Sequence, residues 1–179
     1  TSPDSEDVII TSDSGKNVVE YMYTRNTYTL EWNLNDGEVT NSYTEGEISY
    51  GETIIAPVLT KKGYTGSWDI NPAHTMPAKD LSYEMIWTAN KYNVTFDKGD
   101  GVVIGSKTCT FDESYGTLPE PAKKGYTFAG WYTDAEGGKN VTEDTQMTTA
   151  ENHTLYAHWE IITYTIGYEL NGGTNSSQN

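Results

Sequence analysis

The chain has 179 residues, and its 26 acidic against 11 basic side chains leave a formal net charge of -15. Such a field repels nucleic-acid phosphates and anionic lipid, whose affinity for proteins rests on Lys and Arg, so nucleic acid is excluded as a partner. Hydrophobic residues make up only 35% of the chain, yet 14 Tyr, 5 Trp and 3 Phe are too many for simple disorder, and length alone allows one domain or two to three small ones. Residues 1–26 end in VVEYMYTRN, an alternating aromatic pattern, and read as the C-terminal end of a preceding repeat. Two complete units follow, repeat unit 1 over 27–90 and repeat unit 2 over 91–162, with the start of a further repeat over 163–179.

The repeat rests on phrases that return in order. Three openings match: YTLEWNLNDG from Tyr28, YNVTFDKGDG from Tyr92 and YTIGYELNGG from Tyr164. Each has an aromatic four residues after the tyrosine, at Trp32, Phe96 and Tyr168, and a glycine nine residues after it, at Gly37, Gly101 and Gly173. Downstream, Tyr50-Gly51 is matched with Tyr115-Gly116, and KKGYTGSW, with Gly63, Tyr64 and Trp68, is matched with KKGYTFAGW, with Gly125, Tyr126, Phe128 and Trp131. The units close on Trp87 and Trp159. Unit 2 is longer between its tryptophans, 28 residues from Trp131 to Trp159 against 19 from Trp68 to Trp87, and a surface loop around TDAEGGKNVTEDTQ takes up the difference.

The openings alternate as strands do, with Tyr92, Val94 and Phe96 on one face, and Leu155, Ala157 and Trp159 repeat the pattern at the close. Asp36-Gly37, Asp100-Gly101 and Gly172-Gly173 supply the residues of hairpin turns. Two prolines in TLPEPAKK leave room for at most a short helix or turn between the halves of a unit. Each unit is therefore predicted to be a small, mostly antiparallel sheet with a largely aromatic core. Trp131 breaks the rhythm of Tyr126 and Phe128 unless Ala129-Gly130 forms a bulge, which the shorter KKGYTGSW lacks. Connectors of four residues, Thr24 to Thr27, Thr88 to Lys91 and Glu160 to Thr163, are too short for flexible tethers, so neighbouring repeats of the same chain are the expected partners.

On YNVTFDKGDG, YGTLPEPAKKGYTFAGWYTDAEGG, TLYAHW and YTIGYELNGGTN, the chain resembles the Listeria-Bacteroides repeat, also called the internalin B-type B-repeat, of bacterial surface proteins. Repeat 1 departs from the pattern where Gly66-Ser67 stands in place of the Phe-Ala-Gly run. The resemblance implies a mostly β, α+β architecture of tandem β-grasp (ubiquitin-like) units in an elongated array, and export to the bacterial cell surface. It implies no catalytic residue and no particular ligand.

No GxSxG, phosphate-binding loop, CxxC or HExxH occurs, and His74, His153 and His158 lie in dissimilar contexts, so no catalytic residue, cofactor or metal is assigned. His158 alternates to the solvent side of its strand. Asp97 to Gly101 resembles the start of a calcium loop but lacks the distal glutamate, and a turn explains it. Cys109, alone in the chain, reads as a small strand residue. No apolar run approaches the ~18 residues of a membrane span, and the opening TSPDSED, without a methionine, reads as that of a mature or excised segment. The non-repeated Tyr43, Tyr83 and Tyr132 are candidate stacking platforms for a glycan or host protein, and Lys123 and Lys124 candidate contacts to an acidic neighbour. A Lys-Asn or Lys-Asp isopeptide crosslink needs a triad that the sequence does not place.

Overall fold

The computed structural model describes residues 24–99, 101–169 and 171–173. Residues 1–23 of the expected end of a preceding repeat (1–26), Asp100 of the second turn, and Leu170 and 174–179 of the expected further repeat (163–179) lie outside the described residues. Eleven strands account for all regular structure among the described residues, and no helix occurs there. They are β1 (Thr27–Asn33), β2 (Glu38–Val39), β3 (Gly46–Ser49), β4 (Leu59–Thr60), β5 (Tyr64–Trp68), β6 (Leu81–Ala89), β7 (Lys91–Asp97), β8 (Val103–Thr110), β9 (Tyr126–Tyr132), β10 (Asn140–Val141) and β11 (His153–Ile161).

Two sheets share one plan. The first has the order β3-β1-β6-β5 and the second β10-β9-β11-β7-β8, with β2 and β4 forming a separate ribbon. In each, an opening hairpin (β1 with β3, β7 with β8) and a closing antiparallel pair (β5 with β6, β9 with β11) are joined through a central parallel pair, β1 with β6 and β7 with β11. The sheets are thus mostly antiparallel with one parallel seam. A parallel pair needs a long crossover; here the crossovers run through Pro57 and through Pro119 and Pro121 and contain no helix.

The alternation places Val94, Phe96, Leu155 and Ala157 in the second core and leaves Tyr92 and Trp159 half-buried at its margin. Leu30, Ile48, Ile54, Met76 and Tyr83 form the first core. The deepest side chains are mostly not aromatic: Leu30, Met76, Val94, Met147 and Leu155 are as enclosed as Trp131. Rings instead pave the flanks, with Trp32 stacked on Tyr83 at 4.8 Å and Phe128 edge-on to both Trp131 and Trp159. Met76 and Met147 enter from the loops before the closing strands. Their backbones repeat one pattern, Gly51 N and Asp112 N donating to the Met76 and Met147 carbonyls.

That pattern corrects the expected alignment. Tyr28 lies opposite Ile48 and Tyr92 opposite Cys109, so Tyr50 corresponds to Phe111 and Gly51 to Asp112, not to Tyr115 and Gly116. Gly51 and Asp112 share a left-handed backbone, at φ 80° and 68°. The first turn also differs from expectation, because Asn35 and Asp36 carry the positive φ angles and Gly37 does not. Gly37 is needed for space, since a Cβ there would lie 2.6 Å from the Trp87 ring. Both closing tryptophans cap these turns, Trp87 Nε1 donating to Leu34 O at 3.1 Å and Trp159 Nε1 to Lys98 O at 2.8 Å.

The bulge forms where the broken rhythm required it. Trp159 pairs with Phe128 and His158 with Gly130, leaving Ala129 unpaired, while β5 pairs with β6 without a shift. Gly130 takes φ 124° there. The third opening forms no strand: residues 162–169 are irregular and exposed, because the described residues offer them no partner strand.

The sheets meet across a link shorter than expected, with Asn90 alone standing between β6 and β7. Asn90 N donates to Gly63 O at 2.9 Å, and Phe111 N donates to Asn90 O at 2.8 Å. The Phe111 ring lies against Gly63 and meets Tyr64 edge-on at 5.5 Å. The Tyr64 hydroxyl donates to Asp112 Oδ2 at 2.7 Å, which pushes the Tyr64 phenol above its ordinary pKa, with burial and the carboxylate charge adding in the same sense. Gln146 Nε2 holds the same carboxylate through Oδ1 at 3.0 Å.

Candidate functional site

A concavity of about 740 Å³ lies on the second sheet. It exists because β9 and β11 carry aromatics on neighbouring positions and because the added residues after Tyr132 fold into a tight loop along one rim. Thr133 N donates to Lys139 O, and Lys139 N donates to Thr133 Oγ1, both at 3.0 Å. Consecutive left-handed glycines, Gly137 and Gly138, allow this closure; a Cβ on Gly138 would lie 2.7 Å from the Asp134 amide. The loop is tied back by His158, whose Nε2 donates to Asp134 O at 3.0 Å while its ring stacks on Tyr132 at 3.9 Å.

Tyr126, Tyr156 and Trp159 supply ring surface to this cleft, and Asp97, Lys123 and Glu136 supply charge. Asp97 is committed to the turn, its Oδ1 accepting from Gly99 N at 2.8 Å. Lys123 Nζ sits 4.7 Å from the Tyr126 ring centre and 5.9 Å from that of Trp159. Lys61 does the same over Tyr64 and Trp87, at 5.2 and 5.8 Å, and also donates to Asn35 O. The first lysine of each KKGY phrase is thus a cation laid over the tyrosine that follows it and over the closing tryptophan. Lys124 is exposed.

The sequence-derived candidates do not converge. Tyr83 is 4% exposed and its hydroxyl accepts from Ala73 N at 2.9 Å, so it belongs to the core and is no surface platform. Tyr43 is half-buried in a loop of the first sheet, its hydroxyl pushed upward in pKa by hydrogen bonding to Glu45, then by burial and the Glu45 charge. Tyr132 has one ring face covered by His158, which is therefore not simply solvent-facing. Only Lys123 among the named candidates lines the cleft; Tyr156 and Glu136 were missed because nothing in a lone sequence says which exposed strand and loop residues share a rim.

No nucleophile or acid-base constellation emerges among the described residues. Burial pushes the Cys109 thiol up, against a weaker downward pull from Lys107, and its Sγ lies 3.9 Å from Tyr115 O. His153 Nε2 is 2.8 Å from the Tyr115 hydroxyl, and burial raises the latter's pKa, with Cys109 adding a smaller upward push. Both groups are occupied inside the core wall. Among the described residues, no group of three His, Cys, Asp or Glu side chains gathers as a metal site.

Two sheets of one plan, joined by a single residue, define a protein of β class. The Listeria-Bacteroides repeat domain matches residues 92–158, the stretch from the start of β7 into β11, and this stretch is a repeat of that family. Internalin H of Listeria monocytogenes is 34% identical over 137 residues, covering 68% of this chain and 24% of its own length. A protein of Evansella cellulosilytica provisionally named a Gly-rich membrane protein is 38% identical over 111 residues, 58% of this chain and 13% of that protein. A second, provisionally named a membrane protein, is 28% identical over 165 residues, 86% of this chain and 24% of that one. The chain spans less than a quarter of the length of each of these relatives.

Proposed function

We propose that residues 27–90 and 91–162 are consecutive β-grasp units, and that the chain is a non-catalytic stretch of an exported bacterial cell-surface protein in which such units act as a spacer or stalk. One observation carries this reading: the sheets are linked by Asn90 alone and are pinned by the Gly63, Tyr64, Phe111 and Asp112 contacts, so one unit restricts the orientation of the next. The parallel seam between first and last strands, flanked by hairpin partners, supports the β-grasp assignment. The names of the relatives, an internalin and two membrane proteins, support a place in the cell envelope. Small-angle scattering tests the stalk. The expected maximum dimension is well beyond that of a compact 19.9 kDa globule, and a compact profile would sink the reading.

The cleft favours a second role, binding of a glycan or host protein, because rings and charges share its rim. Glycan-array binding that Tyr156→Ala abolishes would support it. No binding by the parent chain would leave the spacer role alone.

A further inference from the structure

The joint between the sheets has two halves, and each half recurs at an outer end without its counterpart among the described residues. The receiving half is a left-handed glycine followed by a tyrosine. At Gly63 (φ 80°) a Cβ would lie 2.4 Å from the Phe111 ring, so the glycine is there to let the next unit's aromatic approach. Gly125 has the same backbone (φ 83°), yet no atom of the described residues lies within 4 Å of the position a Cβ would take. Tyr126 beside it is 37% exposed. The inserting half is an aromatic one residue past the second hairpin strand, Phe111 after β8 and Tyr50 after β3. Phe111 is buried in the joint; Tyr50 is 52% exposed.

The backbone of each outer half is already set. Ile162 N donates to Gly125 O at 2.9 Å, as Asn90 N does to Gly63 O, and Tyr50 N donates to Asn26 O at 2.9 Å, as Phe111 N does to Asn90 O. Asn26, Asn90 and Ile162 therefore hold one linking position. We propose that the Gly125-Tyr126 face is a docking surface for a following repeat, which seats a Phe or Tyr on Gly125 as Phe111 sits on Gly63. The Tyr50 face is the matching insert for a preceding repeat. The two joints differ in one polar contact: Asp112 accepts from Tyr64, whereas Gly51 in the same place has no carboxylate to offer. A following unit with Asp at that position engages the Tyr126 hydroxyl; one with Gly packs by the ring alone.

This inference rests on the tandem-unit reading and is tested separately from it. A second copy of residues 91–162 is fused directly after Ile162, and tyrosine ring-carbon NMR follows Tyr126 through its titration. The expected result is a midpoint raised relative to the parent chain and returned to the parent value by Asp112→Asn in the appended copy. An unchanged Tyr126 midpoint, with the appended copy giving its own folded spectrum, overturns the proposal. Should that copy fail to fold, residues 27–90 are appended instead. Tyr50 is then expected to shift the Gly125 Hα resonance upfield by its ring current and to leave the Tyr126 midpoint unmoved; an unshifted Gly125 resonance overturns the proposal. Scattering on the same fusions keeps the readings apart, because a flexible, undocked joint still gives a long particle whereas a compact one removes the stalk itself.

Discussion

Replacing Gly63 by alanine strikes the joint at its narrowest place, and Gly125→Ala supplies the control that separates backbone strain from lost packing. Both glycines hold the left-handed conformation, at φ 80° and 83°, so each substitution forces an L side chain into it at a cost of about 1–2 kcal/mol. At Gly125 the added methyl meets open space, and the cost stops there. At Gly63 it meets Phe111 ring atoms at 2.4 to 2.5 Å, and relieving such overpacking costs about 1–3 kcal/mol more. Gly63→Ala is therefore expected to lose about 2–5 kcal/mol against about 1–2 for Gly125→Ala. Equilibrium urea unfolding, read by tryptophan fluorescence and far-ultraviolet circular dichroism, measures both. Equal losses at the two sites would refute the reasoning, because they would show that Phe111 does not press on Gly63 in solution.

The joint should also weaken in alkali. The Asp112 carboxylate raises the Tyr64 pKa in the folded chain, so the folded state holds that proton more tightly than the unfolded state does; the associated stability is present below the ordinary phenol value of about 10 and is lost as pH rises through the higher folded value. Stability measured across that range should fall with pH in the parent chain and less steeply in Tyr64→Phe. In the second core, Trp131→Ala should cost about 3–5 kcal/mol, since the ring is 2% exposed and its Nε1 donates to Pro119 O at 2.7 Å. Thermal unfolding that leaves Trp131→Ala within error of the parent would contradict that packing. Met76→Ala and Met147→Ala should each cost about 2–5 kcal/mol by the same assay, and a loss confined to one of them would argue against their shared role.

Local rules carried much of the fold. Strand alternation and turn residues were legible because each is written within a few neighbouring positions, and the bulge at Ala129-Gly130 followed from one misplaced tryptophan. What escaped notice depended on contacts between distant segments. The buried methionines arrive from loops without strand rhythm, though each stands a near-constant distance before its closing tryptophan, Met76 before Trp87 and Met147 before Trp159. Tyr50 was paired with Tyr115 on the strength of a shared Tyr-Gly, whereas hydrogen-bond register matches it to Phe111, because an aromatic and a left-handed residue are what the position requires. The paired lysines invited a contact with an acidic neighbour; ring surface within the same unit is what holds the first of each pair. The cleft was the least legible, since its rim joins a strand, a turn and an added loop.

In each sheet the chain enters by one strand of the parallel seam and leaves by the other, β1 and β6 in the first, β7 and β11 in the second. Tension applied through the linking residues therefore pulls these adjacent strands in opposite directions along their own length. The backbone bonds between 94–97 and 153–156 would be sheared together, and none could open before its neighbours as in a zipper. A row of such sheets would resist a pull on its ends far better than the small size of each core suggests, and its weakest links under load would be the docked faces between sheets.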